Sequence, residues 1–152
     1  ERKRLHGLVP LARSGSGIDS GLYASEASQR TYAHLAELAM MILRAGHAVI
    51  VDAAFLKHEQ RAQLRAAAEQ ARAPFVILDI HAPDNILRAR LRHRTRQNQE
   101  VSEADLAVLD HQLATHEPLT ADEQAAALIV DSGTSPNIAA LVQKLRALAA
   151  PG

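Results

Sequence analysis

Apolar positions along the chain alternate between two periods, and the changes of period mark its elements. From Ser25 to about residue 45, Tyr32, Leu35, Ala36, Ala39, Ile42 and Leu43 recur at helical spacing. They put one apolar face on a long helix. Ser25 is placed to cap it with Glu26 in its first turn, and Gly46 to end it. Val49, Ile50 and Val51 then form a β-branched run too short for a buried helix. Residues 48–52 are therefore expected as a buried strand of a parallel sheet. Residues 57–72 return to the helical pattern, polar on one side, and Pro74 marks their end. Residues 75–80 read as a second strand and 83–96 as a helix with Pro83 at its first turn. Residues 97–101 form a polar loop. Ser102 and Asp105 resemble a capping box that opens a helix to about 116. Residues 118–123 read as a connection, 127–131 as a third strand, 132–136 as a turn and 137–149 as a last helix.

Helices alternating with strands through short connections indicate an α/β fold with a parallel sheet. Three strands are few for a doubly wound sheet. Either the chain oligomerises or strands upstream of Glu1 are missing. Residues 1–9 are basic with a few apolar positions, and 10–22 are rich in Gly and Ser. Within that stretch, Gly15 to Gly21 superficially resembles a phosphate loop. No strand precedes it and no Gly-Lys-Ser/Thr ends it, so it reads as a flexible connection.

Composition narrows the class. The 152 residues suit a single domain, 1–152. Apolar residues make up 47% but aromatics only 3%, so the core must be built from Ala, Leu, Val and Ile. Seventeen basic and seventeen acidic residues cancel, which argues against broad binding to nucleic acid or anionic membranes and leaves room for a local basic patch. The absence of Cys excludes a disulfide framework and thiolate metal sites, and fits a cytoplasmic location. No apolar run is long enough to span a membrane and no signal peptide is visible. The first residues are Glu-Arg-Lys-Arg rather than Met, as in a fragment or a processed product.

Two features carry candidate chemistry. Asp52 ends its expected strand where open α/β sheets bind ligands, or else caps the helix that follows. Arg88, Arg90, Arg92, Arg94 and Arg96 crowd one helix, and Arg90 and Arg94, four apart, share a face. Two guanidiniums on one face are a fork for phosphate oxygens; the alternative is a solvated surface. Their place after a parallel strand and before a polar loop favours a lid over phosphate. The eight histidines are scattered, with no HxxxH or HxH pair, so no structural metal site is expected. No GxSxG elbow supports nucleophilic catalysis. Asp79 and Asp131 read as local caps. Gln112 and Glu117 are further candidates to reach a substrate, but nothing in the sequence selects them.

The segments GLYASEASQRTYAHLAELAMMILRAGHAVIVDAAFL, RARLRHR, SEADLAVLDHQ and EPLTADE, in that order, resemble the small-molecule and polynucleotide kinase-like group of P-loop proteins. More narrowly, they resemble the ATP-binding domain often fused in bacteria to an aminoglycoside-phosphotransferase-like domain. The resemblance covers nearly the whole chain. It implies part of the parallel sheet of a three-layer α/β/α P-loop NTPase fold, with ATP and Mg2+ as cofactors. Asp52 matches the acid of the family's VIVDATF strand, near magnesium and the phosphates. The Thr of that motif is Ala54 here, so its hydroxyl is lost. Arg90 and Arg94 match lid arginines that neutralise charge on the transferring phosphoryl group. Arg61 matches the Arg of the following helix, assigned to substrate binding. Gly133 and Thr134 lie where such kinases pass a loop near the adenine.

The family's strand, its GxxGxGKST-type phosphate loop, a helix and a second strand precede a segment like ERKRL, where this chain starts. The expectation is therefore the C-terminal part of a kinase-like domain, N-terminal strands missing, inactive alone. The intact protein would pass the γ-phosphate of ATP to a small molecule or a nucleic-acid end. Its expected partners are that acceptor, a second copy of itself and a fused phosphotransferase-like domain, with no membrane. The competing expectation is a non-catalytic interaction or regulatory module that oligomerises through an exposed sheet edge. Anion or nucleic-acid binding through the arginines is a third, which neutral net charge weighs against.

Overall fold

A computed structural model describes residues 25–96 and 103–149. The expectations for residues 1–22, the 97–101 loop and the Ser102 cap lie outside these. Among the described residues there are six helices and a two-stranded parallel sheet. In order they are α1 (Ser25–Arg44), α2 (His58–Gln70), β1 (Ile77–His81), α3 (Asp84–Arg96), α4 (Glu103–Thr115), α5 (Ala121–Ala125), β2 (Ala127–Asp131) and α6 (Ile138–Ala149). The described residues fall into two compact units, divided after Ala73, with 111–117 belonging to the first.

In the first unit α1 packs against α2. Ala27, Thr31, Tyr32 and Ala39 are buried on α1, and Arg61, Leu64, Ala67 and Ala68 on α2. Most of these side chains are small, so the interface rests on close backbone approach rather than bulk, as a chain poor in aromatics requires. Thr31 Oγ1 is buried without penalty because it donates to Ala27 O at 2.7 Å.

Local chemistry ends both helices. At the end of α1, Gly46 N donates to Leu43 O (2.9 Å) and His47 N to Ile42 O (3.2 Å), with Gly46 left-handed at φ 82°. This is a Schellman cap, and glycine adopts its left-handed position without a Cβ clash. The end of α2 repeats the pattern: Arg72 N donates to Glu69 O and Ala73 N to Ala68 O, but the left-handed residue is Arg72, φ 52°.

The strand expected at 48–52 is not formed. Residues 47–52 have no regular structure, and Ile50 is 89% exposed. A strand exists only as half of a ladder, and among the described residues no strand pairs with this segment. Apolar, β-branched composition reports a preference for such a place without supplying the neighbour.

In the second unit β1 and β2 pair in parallel, from Ile77 opposite Ala127 to His81 opposite Asp131. The β1 ladder starts at Ile77, later than the apolar run that begins at Phe75, because pairing begins where β2 provides a partner; Ile77 N donates to Ala126 O at 2.8 Å. Val130 is buried, whereas Ile80 and Ile129 are 63% and 78% exposed. The connection expected at 118–123 contains the start of α5. Thr120 Oγ1 accepts from Glu123 N (3.3 Å), and Glu123 Oε2 accepts from Thr120 N (2.9 Å). This reciprocal capping box makes a short helix where composition alone reads as loop.

Candidate functional site

The segment between α1 and α2 carries Asp52, and its far end is held from three sides. Phe55 is left-handed, φ 47°. For a bulky L-residue that conformation costs about 1–2 kcal/mol. Both of its backbone polar groups are engaged. Phe55 N donates to Tyr32 Oη at 3.2 Å, and Phe55 O accepts from Arg61 Nη1 at 3.0 Å. The Phe55 ring also lies against Tyr32, with centroids 5.3 Å apart and planes tilted by 52°. A tilted aromatic pair of this kind is worth about 0.5–1.5 kcal/mol beyond the area it buries, comparable to the backbone cost.

Arg61 is only 4% exposed. Besides Phe55 O, its Nη1 donates to Glu117 O at 3.1 Å. The expectation for Arg61 is substrate contact. In the structure its buried guanidinium joins two backbone carbonyls, 6 and 56 positions away in sequence, and so ties the turn to Glu117, two residues past the end of α4.

Glu117 completes the arrangement. Its backbone N donates to Leu56 O at 2.8 Å. Its Oε1 accepts from Lys57 Nζ (3.1 Å) and its Oε2 from His58 N (2.8 Å). The N-cap of α2 is Lys57, whose side chain has no acceptor. The carboxylate of Glu117 therefore accepts from a first-turn N–H at the positive end of the helix dipole. The His58 N–H, then Lys57, hold the Glu117 carboxyl below its ordinary acidity range. Sequence reasoning noted Glu117 and had no ground for choosing it; the one available signal is the absence of a capping side chain at Lys57.

Asp52 is exposed, as is Ala54. Among the described residues, 48–54 make no backbone–backbone hydrogen bond. The carboxylate thus stands three residues before a tightly held turn.

The second unit carries Arg90, Gly133 and Thr134. Arg90 is exposed on α3; Nη1 donates to Ser132 Oγ at 3.1 Å and Nη2 to Ser132 O. Ser132 is itself anchored: its N and Oγ both donate to His81 O, at 2.7 and 2.9 Å. Gly133 N donates to Asp131 Oδ1 at 2.7 Å, so Asp131 caps the turn locally, as its position at the end of a strand predicts. Asp79 Oδ2 lies 2.8 Å from His81 Nε2. A Cβ on Gly133 would stand 2.9 Å from Pro83 Cδ and 3.0 Å from Asp131 Oδ1, so only glycine fits between the start of α3 and the turn. Thr134 is exposed beside it. Arg88 is paired with Asp84 (3.0 Å) and Asp110 (2.5 Å), which in that order raise its already high pKa. The backbone of α3 continues through residue 96, which keeps Arg94 on the face of Arg90; the Arg94 side chain lies outside the described part.

The structure thus brings Arg61 and the Asp52 segment into one unit, and Arg90, Gly133 and Thr134 into the other. Among the described residues no three His, Cys, Asp or Glu side chains form a metal-binding group. No helix among them is long and apolar enough to cross a membrane.

No curated protein and no solved structure gives a significant match to the chain. A family model described as "AAA domain" matches residues 1–119, which include Asp52, Arg61, Arg90 and Glu117. The match spans well over half of the sequence, and the chain accordingly belongs to this AAA domain family, a family of P-loop NTPase-like kinase domains.

Proposed function

We propose that this chain is part of an ATP-dependent phosphotransferase that acts on a small molecule or a nucleic-acid end. The observation that carries the reading is the family match over residues 1–119. An exposed carboxylate at Asp52, beside a held turn inside that span, supports it. Mg2+ bound with ATP supplies charge neutralisation at the phosphates. A lone, solvent-facing carboxylate fits that ion, which keeps most of its waters and is shared with phosphate oxygens rather than caged by protein. In this reading Asp52 orients the hydrated ion. Arg90 and Arg94 present guanidinium donors to phosphate oxygens. The turn at Gly133 and Thr134 lies against the adenine. Phosphoryl transfer is mostly positioning and electrostatics, so these residues act by holding charge in place.

The test is MgATP binding and γ-phosphate release by the full-length protein, with Asp52→Asn beside it. Binding that strengthens with Mg2+ and needs more Mg2+ in the variant supports the proposal. Absence of any MgATP binding overturns it. One observation favours the second reading, a non-catalytic module that associates with another copy: the exposed Ile80 and Ile129 on a sheet that has two strands among the described residues. A dimer of the full-length protein without nucleotide affinity would select it.

A further inference from the structure

We propose that Arg61 and Glu117 are positioning residues: they clamp the turn at Phe55–His58 and thereby fix where Asp52 presents its carboxylate to magnesium-bound nucleotide. The inference rests on the reading of Asp52 given above.

Three observations carry it. First, the turn is held in a conformation it would not keep by itself. Phe55 is left-handed, and both its N–H and its C=O are taken, by Tyr32 from α1 and by Arg61 from α2. A non-glycine residue in that region persists only where surrounding structure over-determines it. Second, Arg61 is nearly fully buried, and its Nη1 donates to two backbone carbonyls, Phe55 O and Glu117 O. A buried guanidinium that joins two main-chain segments fixes their spacing. Third, Glu117 closes the same loop from the other side, through Leu56 O, Lys57 Nζ and His58 N. Four consecutive residues, 55–58, are thereby referred to one point 59 positions from His58. Residues 48–54 have no ladder of their own among the described residues. The direction of Asp52 is therefore set by its anchored neighbour, the 55–58 turn. A carboxylate that orients a hydrated ion needs that anchoring, because outer residues holding a metal ligand in place contribute to the affinity of the site.

The test uses the full-length protein and reads the Mg2+ concentration that gives half-maximal ATP binding, with ATP binding in EDTA as the reference. Asp52→Asn should raise the Mg2+ requirement. Arg61→Ala should raise it roughly tenfold with the EDTA affinity unchanged. Arg61→Lys, which keeps a donor near both carbonyls, should recover part of the shift. In Asp52→Asn the further change Arg61→Ala should add nothing, because it acts through the carboxylate already removed. Amide hydrogen exchange should quicken at residues 53–58 in Arg61→Ala. Should Arg61→Ala not fold, Glu117→Gln at the exposed end of the clamp takes its place, with a smaller shift in the same direction. If Asp52→Asn raises the Mg2+ requirement but neither clamp variant does, or if their effects add to it in full, this inference is overturned and the role of Asp52 stands. If Asp52→Asn changes nothing, both fall together.

Discussion

Glu117 caps helix α2 from 59 residues away, its Oε2 accepting from His58 N at 2.8 Å. The interaction has a definite pH dependence. The folded-state pKa of Glu117 lies below its ordinary 4.5, chiefly through the His58 N–H and next through Lys57. A carboxyl of lowered pKa binds its proton less readily folded than unfolded. Its contribution to stability is thus complete above the unfolded value and is lost as pH falls through the folded one. The charged groups that face it are Lys57 and Arg61, and both favour its ionised form. We predict that Glu117→Gln melts at a lower temperature than the parent at neutral pH. The gap should close as pH falls below the ordinary range of a glutamate. Thermal melts of both proteins from neutral to acid pH check this; a gap independent of pH would contradict it.

Arg72 occupies the left-handed position that Gly46 occupies at the end of α1, with φ of 52° against 82°. The hydrogen bonds that close the two helices follow the same pattern. An L-residue bears a steric cost there that glycine does not, and glycine has more freedom to lose from the unfolded chain. The first effect is about 1–2 kcal/mol and the second about 0.5–1 kcal/mol. We predict that Arg72→Gly stabilises the protein by about 0.5–1 kcal/mol. Urea denaturation reads the difference as a higher midpoint with unchanged slope.

These positions show what the sequence makes legible. Helix ends carry their signal locally: Gly46 and Pro83 mark the end of α1 and the start of α3 within two residues of the observed bounds, and Pro74 follows the end of α2 by four. β2 is found at its expected residues, because Ala127–Asp131 combines an apolar run with a turn immediately after it. The capping box of α5 is also local, Thr120 and Glu123, and only its position inside a short connection hides it. What the sequence conceals is whatever depends on a distant partner. A β-branched run at 49–51 does not make a strand without a neighbour. Lys57 signals only that its helix lacks a local side-chain cap, and nothing near it points to Glu117. Arg61 sits in a strongly polar helix, yet it is buried because carbonyls from residues 55 and 117 converge on it. Arg90 reads as an exposed lid charge, and it is exposed, but its bond to Ser132 spans 42 positions.

Gly133 has a more exacting environment than its turn alone requires. The rigid ring of Pro83 and the short side chain of Asp131 both stand within 3.0 Å of where a Cβ would be. Neither has a flexible end that can swing away. Gly133→Ala must therefore displace the start of α3 or break the bond from Gly133 N to Asp131 Oδ1. We predict a loss of about 1–3 kcal/mol, the usual scale for overpacking a close site. If the turn also faces adenine, ATP affinity falls in the same variant. Denaturation and ATP titration separate the two effects, and a variant as stable as the parent would show that the turn yields.

Arg90 donates to Ser132 Oγ at 3.1 Å and also to Ser132 O, and that bond competes with the role proposed for it. A guanidinium held on a neutral hydroxyl and a carbonyl has a weaker partner than a phosphate, whose oxygens accept charge-assisted, two-pronged hydrogen bonds. ATP should therefore draw Arg90 away from Ser132. Arg90→Ala removes a positive charge from the transferring phosphoryl group and is predicted to lower the transfer rate at saturating MgATP by roughly 10³-fold, the lower end for an arginine in that role. Arg90→Lys keeps the charge and loses the planar fork, so it should fall between the two. Ser132→Ala tests the competition from the other side. It removes one acceptor of Arg90 without touching the guanidinium, so the transfer rate should be unchanged or slightly higher. A rate that falls as steeply in Ser132→Ala as in Arg90→Ala would mean that the bond to Ser132 is itself the working position of Arg90. Rapid-quench measurement of a single turnover distinguishes these outcomes, because it reads the chemical step apart from product release.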